Sequence, residues 1–199
     1  MKLIMKSSMT ALILNFVILF WSFYSAVWLE NRSIFSENGL LENFQALTLF
    51  ITLFFFLVPM FNRRRSDRLL AVFFSFLTLG FVLRELDVET FDLPEIFIIL
   101  GSGQGRDLLL SFGILSTIGF ALLKFRYYLD LAICFLKSRS GFAAFSSGIF
   151  LYIGDFFENV QIPYNVLYEE SFELMGYSIL LLAASRLARR EIKTSRFMY

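Results

Sequence analysis

Apolar positions along this chain fall in long runs rather than in alternation, and the charged residues gather in short stretches between them. Runs at 10–29, 41–61, 69–84, 108–123, 141–160 and 166–187 consist mainly of Leu, Phe, Ile, Val and Ala. A helix rising about 1.5 Å per residue needs about 20 residues to cross about 30 Å of hydrocarbon. The pattern therefore predicts an all-α fold, a polytopic membrane helical bundle of six transmembrane helices forming a single domain over 1–199. Between the fourth and fifth runs, 126–137 has basic ends and an apolar middle, which predicts an amphipathic helix on the membrane surface. The first run follows Lys2 and Lys6 as a signal peptide would, but it is longer than the about 7 to 15 residues of a signal h-region. No A-x-A site follows it, so it reads as a span. Asn15 inside that run is expected to face other helices.

Composition supports the membrane class. With 57% hydrophobic residues, 27 Phe and a mean hydropathy of +0.67, the chain holds more apolar surface than a soluble domain of 199 residues can bury. The single cysteine, Cys134, excludes an internal disulfide and a CxxC metal site. Histidine is absent, which removes the commonest zinc ligand and the usual proton carrier at neutral pH. Any chemistry must use carboxylates, Tyr, Ser or Arg.

Charge gives the orientation. The loop 62–68, NRRRSDR, packs four arginines between two spans and is expected to be cytoplasmic. With both termini inside, 15 of the 18 Lys and Arg residues fall on the cytoplasmic side with only Asp67, Asp130 and Glu191. The other 14 of the 17 acids fall outside with Arg32, Arg84 and Arg106, so the faces carry +12 and −11. Acids contribute little to topology, so the outer acids call for another cause. Asn31-Arg32-Ser33 matches a glycosylation sequon but hugs the membrane and reads as chance.

The richest acidic stretch is 154–173, GDFFENVQIPYNVLYEESFE, with apolar sequence on both sides. Asp155 and Glu158 are i,i+3 and Glu169 and Glu173 are i,i+4, so each pair shares a helical face. Counting residues from the basic stops puts Asp155 and Glu173 below the outer interface and leaves Glu169 and Glu170 free to be wet. The short uncharged parts of the third and fourth runs draw Arg84, Glu85 and Asp107 into the same leaflet. Carboxylates at that depth must pair with arginine, hold a proton or cation, or face water. The candidate cation ligands are Glu42, Glu85, Asp87, Asp107, Asp155, Glu158 and Glu173, and the candidate ion-pair partners are Arg84 and Arg106. An all-oxygen set suits Ca, Mg or Mn rather than zinc. Convergence of these acids on one another favours a coupled site, and convergence on Arg84 and Arg106 instead favours structure.

Two function classes follow. The first is a non-enzymatic binding, scaffold or transport-associated membrane component whose outward acidic cavity takes a cation, a cationic solute or a partner's basic segment. The second is an enzyme at the outer leaflet, acting on a lipid or lipid-linked substrate through a carboxylate-bound divalent ion, with Glu173, Glu158 or Asp155 as candidate catalytic residues. Membrane lipids and other membrane-protein subunits are the expected partners, and nucleic acid is not. GSGQGRD at 101–107 offers backbone N–H groups and Arg106 to a phosphate, but it lacks the GK[ST] of a P-loop and reads better as a re-entry loop.

At Glu37-Asn38-Gly39-Leu40-Leu41-Glu42 the chain resembles uncharacterised bacterial multi-pass inner-membrane proteins with a Glu-Asp/Asn-Gly-x-x-Glu entry into an apolar helix. The likeness runs over 37–90, through the arginine-rich turn to Arg84-Glu85-Leu86-Asp87. It implies a bacterial inner-membrane location and no assigned activity. Outward-facing acids near a membrane also resemble alkaline-ceramidase-like hydrolases, but that family uses zinc-binding histidines and this chain has none.

Overall fold

The computed structural model describes residues 2–30, 39–62, 65–86, 94–190 and 192. Asp87, the 31–38 loop with its sequon, Arg63, Arg64 and the tail beyond Ile192 lie outside the described residues. Eight helices follow in order: α1 (Lys2–Trp28), α2 (Leu40–Phe61), α3 (Arg68–Glu85), α4 (Glu95–Gly101), α5 (Gly103–Leu123), α6 (Phe125–Leu136), α7 (Arg139–Glu158) and α8 (Asn165–Arg189). No strand occurs among the described residues.

Each apolar run falls in a helix, and 126–137, expected to be helical, falls almost wholly within α6. Three boundaries differ, the first being that α1 begins at Lys2 rather than at 10. The segment 95–101, expected within a loop, is the short helix α4, and α5 begins at Gly103 rather than at 108. The glycines of GSGQGRD explain the α4 and α5 boundaries. At Gly105 a Cβ would lie 1.7 Å from the Ile99 carbonyl oxygen, so glycine lets α5 start directly against α4. The motif makes a helix–helix corner.

Four helices are long and apolar enough to cross a membrane: α1 over Met9–Trp28, α2, α5 and α7. Helices α3 and α8 fall short of that measure because α3 carries Arg68, Arg84 and Glu85, and α8 carries three glutamates and two arginines. Their places in the bundle account for this. Helix α8 is the central element, packed against α7, α2 and α1, and buries residues from Leu167 to Leu187. Its polar residues therefore meet protein. Helix α5 is the opposite case: it buries only Gly113 and Thr117 and turns Leu108, Phe112, Leu115 and Phe120 outward.

Small residues set how closely α7 and α8 pack. Ser140, Ser147 and Gly154 recur every seven residues along the buried side of α7, the repeat of a left-handed helix pair. Ser147 Oγ donates to the Gly176 carbonyl at 2.8 Å. At Gly154 a Cβ would sit 2.9 Å from Glu173 Cγ, so the glycine makes room for that side chain.

At the basic end of the bundle, the α2–α3 turn clamps the end of α8. Arg65 donates from Nε and Nη2 to the two carboxylate oxygens of Asp67 at 2.8 Å each, and from Nη2 and Nη1 to the carbonyls of Leu187 and Ala188 at 2.7 and 3.1 Å. The Ile192 N–H donates to Asp67 Oδ2 at 2.8 Å. The last carbonyls of a helix have no partner within it, and a guanidinium there also complements the helix dipole. Beside this clamp Phe56, Phe74 and Phe135 bring α2, α3 and α6 together, with ring centroids 5.2 and 5.3 Å apart.

Candidate functional site

Helix α8 places Glu170, Glu173 and Tyr177 at i, i+3 and i+7, one continuous face turned towards α2 and α3. On the α3 side, Arg84 donates from Nη2 to Glu173 and lies 3.1 Å from Glu85 Oε1. Tyr177, fully buried, donates its hydroxyl to Glu85 Oε1 at 2.8 Å and lies 3.3 Å from Arg84 Nη2. The side chains of Glu85 and Glu173 are each 6% exposed, while that of Arg84 is 49% exposed. Two buried carboxylates and a phenol thus gather around one guanidinium that reaches the surface.

On the α2 side, Gln45 is fully buried and donates from Nε2 to the Glu170 carboxylate at 2.7 Å and to the Glu170 carbonyl at 2.9 Å. Its Oε1 has no hydrogen-bond partner among the described residues, nor does the buried Ser171 hydroxyl. Further along α8, Asn15 Nδ2 donates to Thr48 Oγ1 and Ser178 Oγ at 2.9 and 2.8 Å, so Asn15 faces other helices as expected. From Glu170 to Ser178, about 12 Å of helix axis carries polar contacts to α1, α2, α3 and α7.

The sequence-derived candidates separate in space. Glu173 and Glu85 meet at Arg84, the convergence on an arginine that favours a structural role for these two acids. Asp155 and Glu158 point to the exposed side of α7, close enough for their charges to act on Glu173. Asp107 is exposed beside Arg106, 3.3 Å from its Nε. Glu42 is half-buried in the first turn of α2, and its charge acts on Glu170. Among the described residues, no three Asp, Glu or Cys side chains gather as a metal cage.

Residue counting leaves Glu170 free to be wet, yet it is 9% exposed. Sequence reasoning also passed over Gln45 and Tyr177. A signal for each existed: Gln45 is an amide inside an apolar run three residues after Glu42, and Tyr177 stands four residues after Glu173.

Chemically, the site can hold positive charge. Glu85, Glu170 and Glu173 are buried acids, and Arg84 is the one cation hydrogen-bonded to any of them among the described residues. No protein-family model, curated protein or solved structure matches the chain.

Proposed function

We propose that this chain is a non-enzymatic binding, scaffold or transport-associated component of the bacterial inner membrane, whose outward carboxylate network receives a cationic group. In this reading it crosses the membrane six times with both termini cytoplasmic. Helices α3 and α8, at 18 and 25 residues, are spans beside the four apolar ones, their charges turned towards protein or the interface. The sorting of basic residues supports the orientation.

The observation that carries the functional reading is the charge imbalance around Arg84. Three buried carboxyl groups face one guanidinium; when all three are ionised they carry an excess of two negative charges, which binding of positive charge relieves. The unpartnered Gln45 Oε1 adds a further oxygen beside Glu170. The occupant is a divalent cation such as Ca, Mg or Mn, a cationic solute, or a basic segment of a partner subunit.

Thermal melting of the purified protein against Ca²⁺, Mg²⁺, Mn²⁺ and a polyamine tests this, because a ligand that prefers the folded state raises the melting temperature. At least one of the four is expected to raise it, with the response lost in Glu173→Gln and kept in Asp155→Asn. A wild-type melting temperature indifferent to all four sinks the reading. For topology, in a Cys134→Ser background an impermeant maleimide added outside is expected to label Gln161→Cys and to spare Lys137→Cys. The reverse pattern overturns the orientation.

A further inference from the structure

A second site lies at the basic end, away from the carboxylates. Between the α2–α3 turn and the α5–α6 junction is a cavity of about 480 Å³, lined by Arg65, Arg68, Lys124, Tyr127 and Tyr128 among others. Its cations are not equivalent. Arg65 is committed to Asp67 and to the end of α8. Among the described residues Arg68 donates only its Nε, to the Met60 carbonyl at 2.8 Å, and keeps its outer N–H groups on an exposed side chain. Lys124 is exposed at the break between α5 and α6. The wall opposite α3 is built by α6, where the Tyr127 and Tyr128 rings stand nearly perpendicular at 5.0 Å and the Tyr127 hydroxyl donates to the Ser66 carbonyl at 3.3 Å.

The cavity does not end at the charged mouth. Leu69 and Tyr128 also line an adjoining groove of about 140 Å³ between α3, α5 and α6, floored by Phe73, Ala121 and Leu131. Thr117 in that groove donates its hydroxyl to the Gly113 carbonyl of its own helix at 2.8 Å, so it offers no free hydrogen to a ligand. Around Tyr128 burial, and then the neighbouring Tyr127, raise the phenol above its ordinary range, which keeps it a neutral donor. A cationic mouth with the Tyr128 phenol beside it, opening into an apolar groove, matches one chemistry: an anionic head joined to hydrocarbon.

The geometry points to a binding site for one anionic phospholipid, its phosphate between Arg68 and Lys124 and the start of an acyl chain in the groove between α3, α5 and α6. The location fits this occupant because α5 buries only Gly113 and Thr117 among the described residues and turns apolar residues outward, leaving the groove open to lipid. The site stands independently of the carboxylate network. Only its assignment to the inner leaflet rests on the proposed orientation.

Native mass spectrometry of the detergent-purified full chain with phosphatidylglycerol and phosphatidylcholine tests the inference. Phosphatidylglycerol should be retained preferentially. The double variant Arg68→Gln, Lys124→Gln should retain it about 25-fold less well, since each cation near a lipid surface contributes on the order of fivefold. Ala121→Trp, which fills the groove without touching charge, should weaken retention as well, and size-exclusion profiles establish that both variants remain folded. Equal retention of the two lipids, or wild-type retention by either folded variant, overturns the proposal. Displacement of the lipid by glycerol phosphate at equal concentration also overturns it, since the site then serves a small soluble anion.

Discussion

The two ends of α8 each meet an arginine from a neighbouring turn or helix, and they are built on opposite principles. At the basic end Arg65 faces one acid, Asp67; their side chains are 9% and 0% exposed, and the donors reach both carboxylate oxygens and two helix-end carbonyls. The charge there is balanced. At the acidic end Arg84 is half-exposed and faces two buried acids, with a third held by Gln45 alongside. Balanced, fully bonded burial is what structure needs. An unbalanced set beside unpartnered oxygens is what a binding site needs.

Breaking the balanced end should have the largest effect. Asp67→Ala strands Arg65 in a buried position and releases Ile192, at a cost of about 3 to 5 kcal/mol in unfolding free energy, with cations still raising the lowered melting temperature. Chemical denaturation of the solubilised protein measures it. Next comes Gly154→Leu, whose Cβ would sit 2.9 Å from Glu173 Cγ. It should destabilise by about 1 to 3 kcal/mol and also remove the cation response, because Glu173 has to move. A similar loss, about 1 to 3 kcal/mol, is expected for Gln45→Ala, which leaves the Glu170 carboxylate buried without its donor.

At the unbalanced end the contrast sharpens. Glu173→Gln keeps an oxygen for Arg84 and removes one of the crowded charges, so stability should change by less than about 1 kcal/mol while the melting-temperature response to cations disappears. A loss as large as that of Asp67→Ala would make the two ends alike and the acidic one structural. Smallest of all is Asp155→Asn, on the exposed side of α7, where stability should stay within about 0.5 kcal/mol and the cation response unchanged.

Much of the fold could be read along the chain because a membrane imposes length. Span ends read from apolar runs fall within a few residues of the helix ends in α2, α3, α7 and α8, where charged residues or turns interrupt hydrocarbon. The corner at 101–107 escaped that reading because its logic is close contact: Gly105 is there for the Ile99 carbonyl, a neighbour that no periodicity announces. Orientation of side chains escaped for a different reason. In a soluble helix, polar residues mark the face away from the core, but lipid and protein interior are both apolar, so pattern alone leaves the inward face open. Counting residues gave Asp155 and Glu173 similar depths; the structure turns Glu173 into the bundle and Asp155 out of it. Glu169 and Glu170, adjacent in sequence, are divided by the 100° turn between neighbours, and Glu170 goes inside to meet Gln45.

The amino-acid sequence by itself determined the helical, membrane-suited character of this chain, the segments that become its long helices, and the separation of basic from acidic ends, because hydrophobicity and charge act locally on each segment. Tertiary structure alone decided that α8, among the least apolar of the long helices, occupies the centre, and that Glu85, Glu173 and Tyr177 close on Arg84. The contacts of Glu173 and Tyr177 with Arg84 and Glu85 join residues about 90 positions apart, and only the packing of α8 against its neighbours brings them within hydrogen-bond reach.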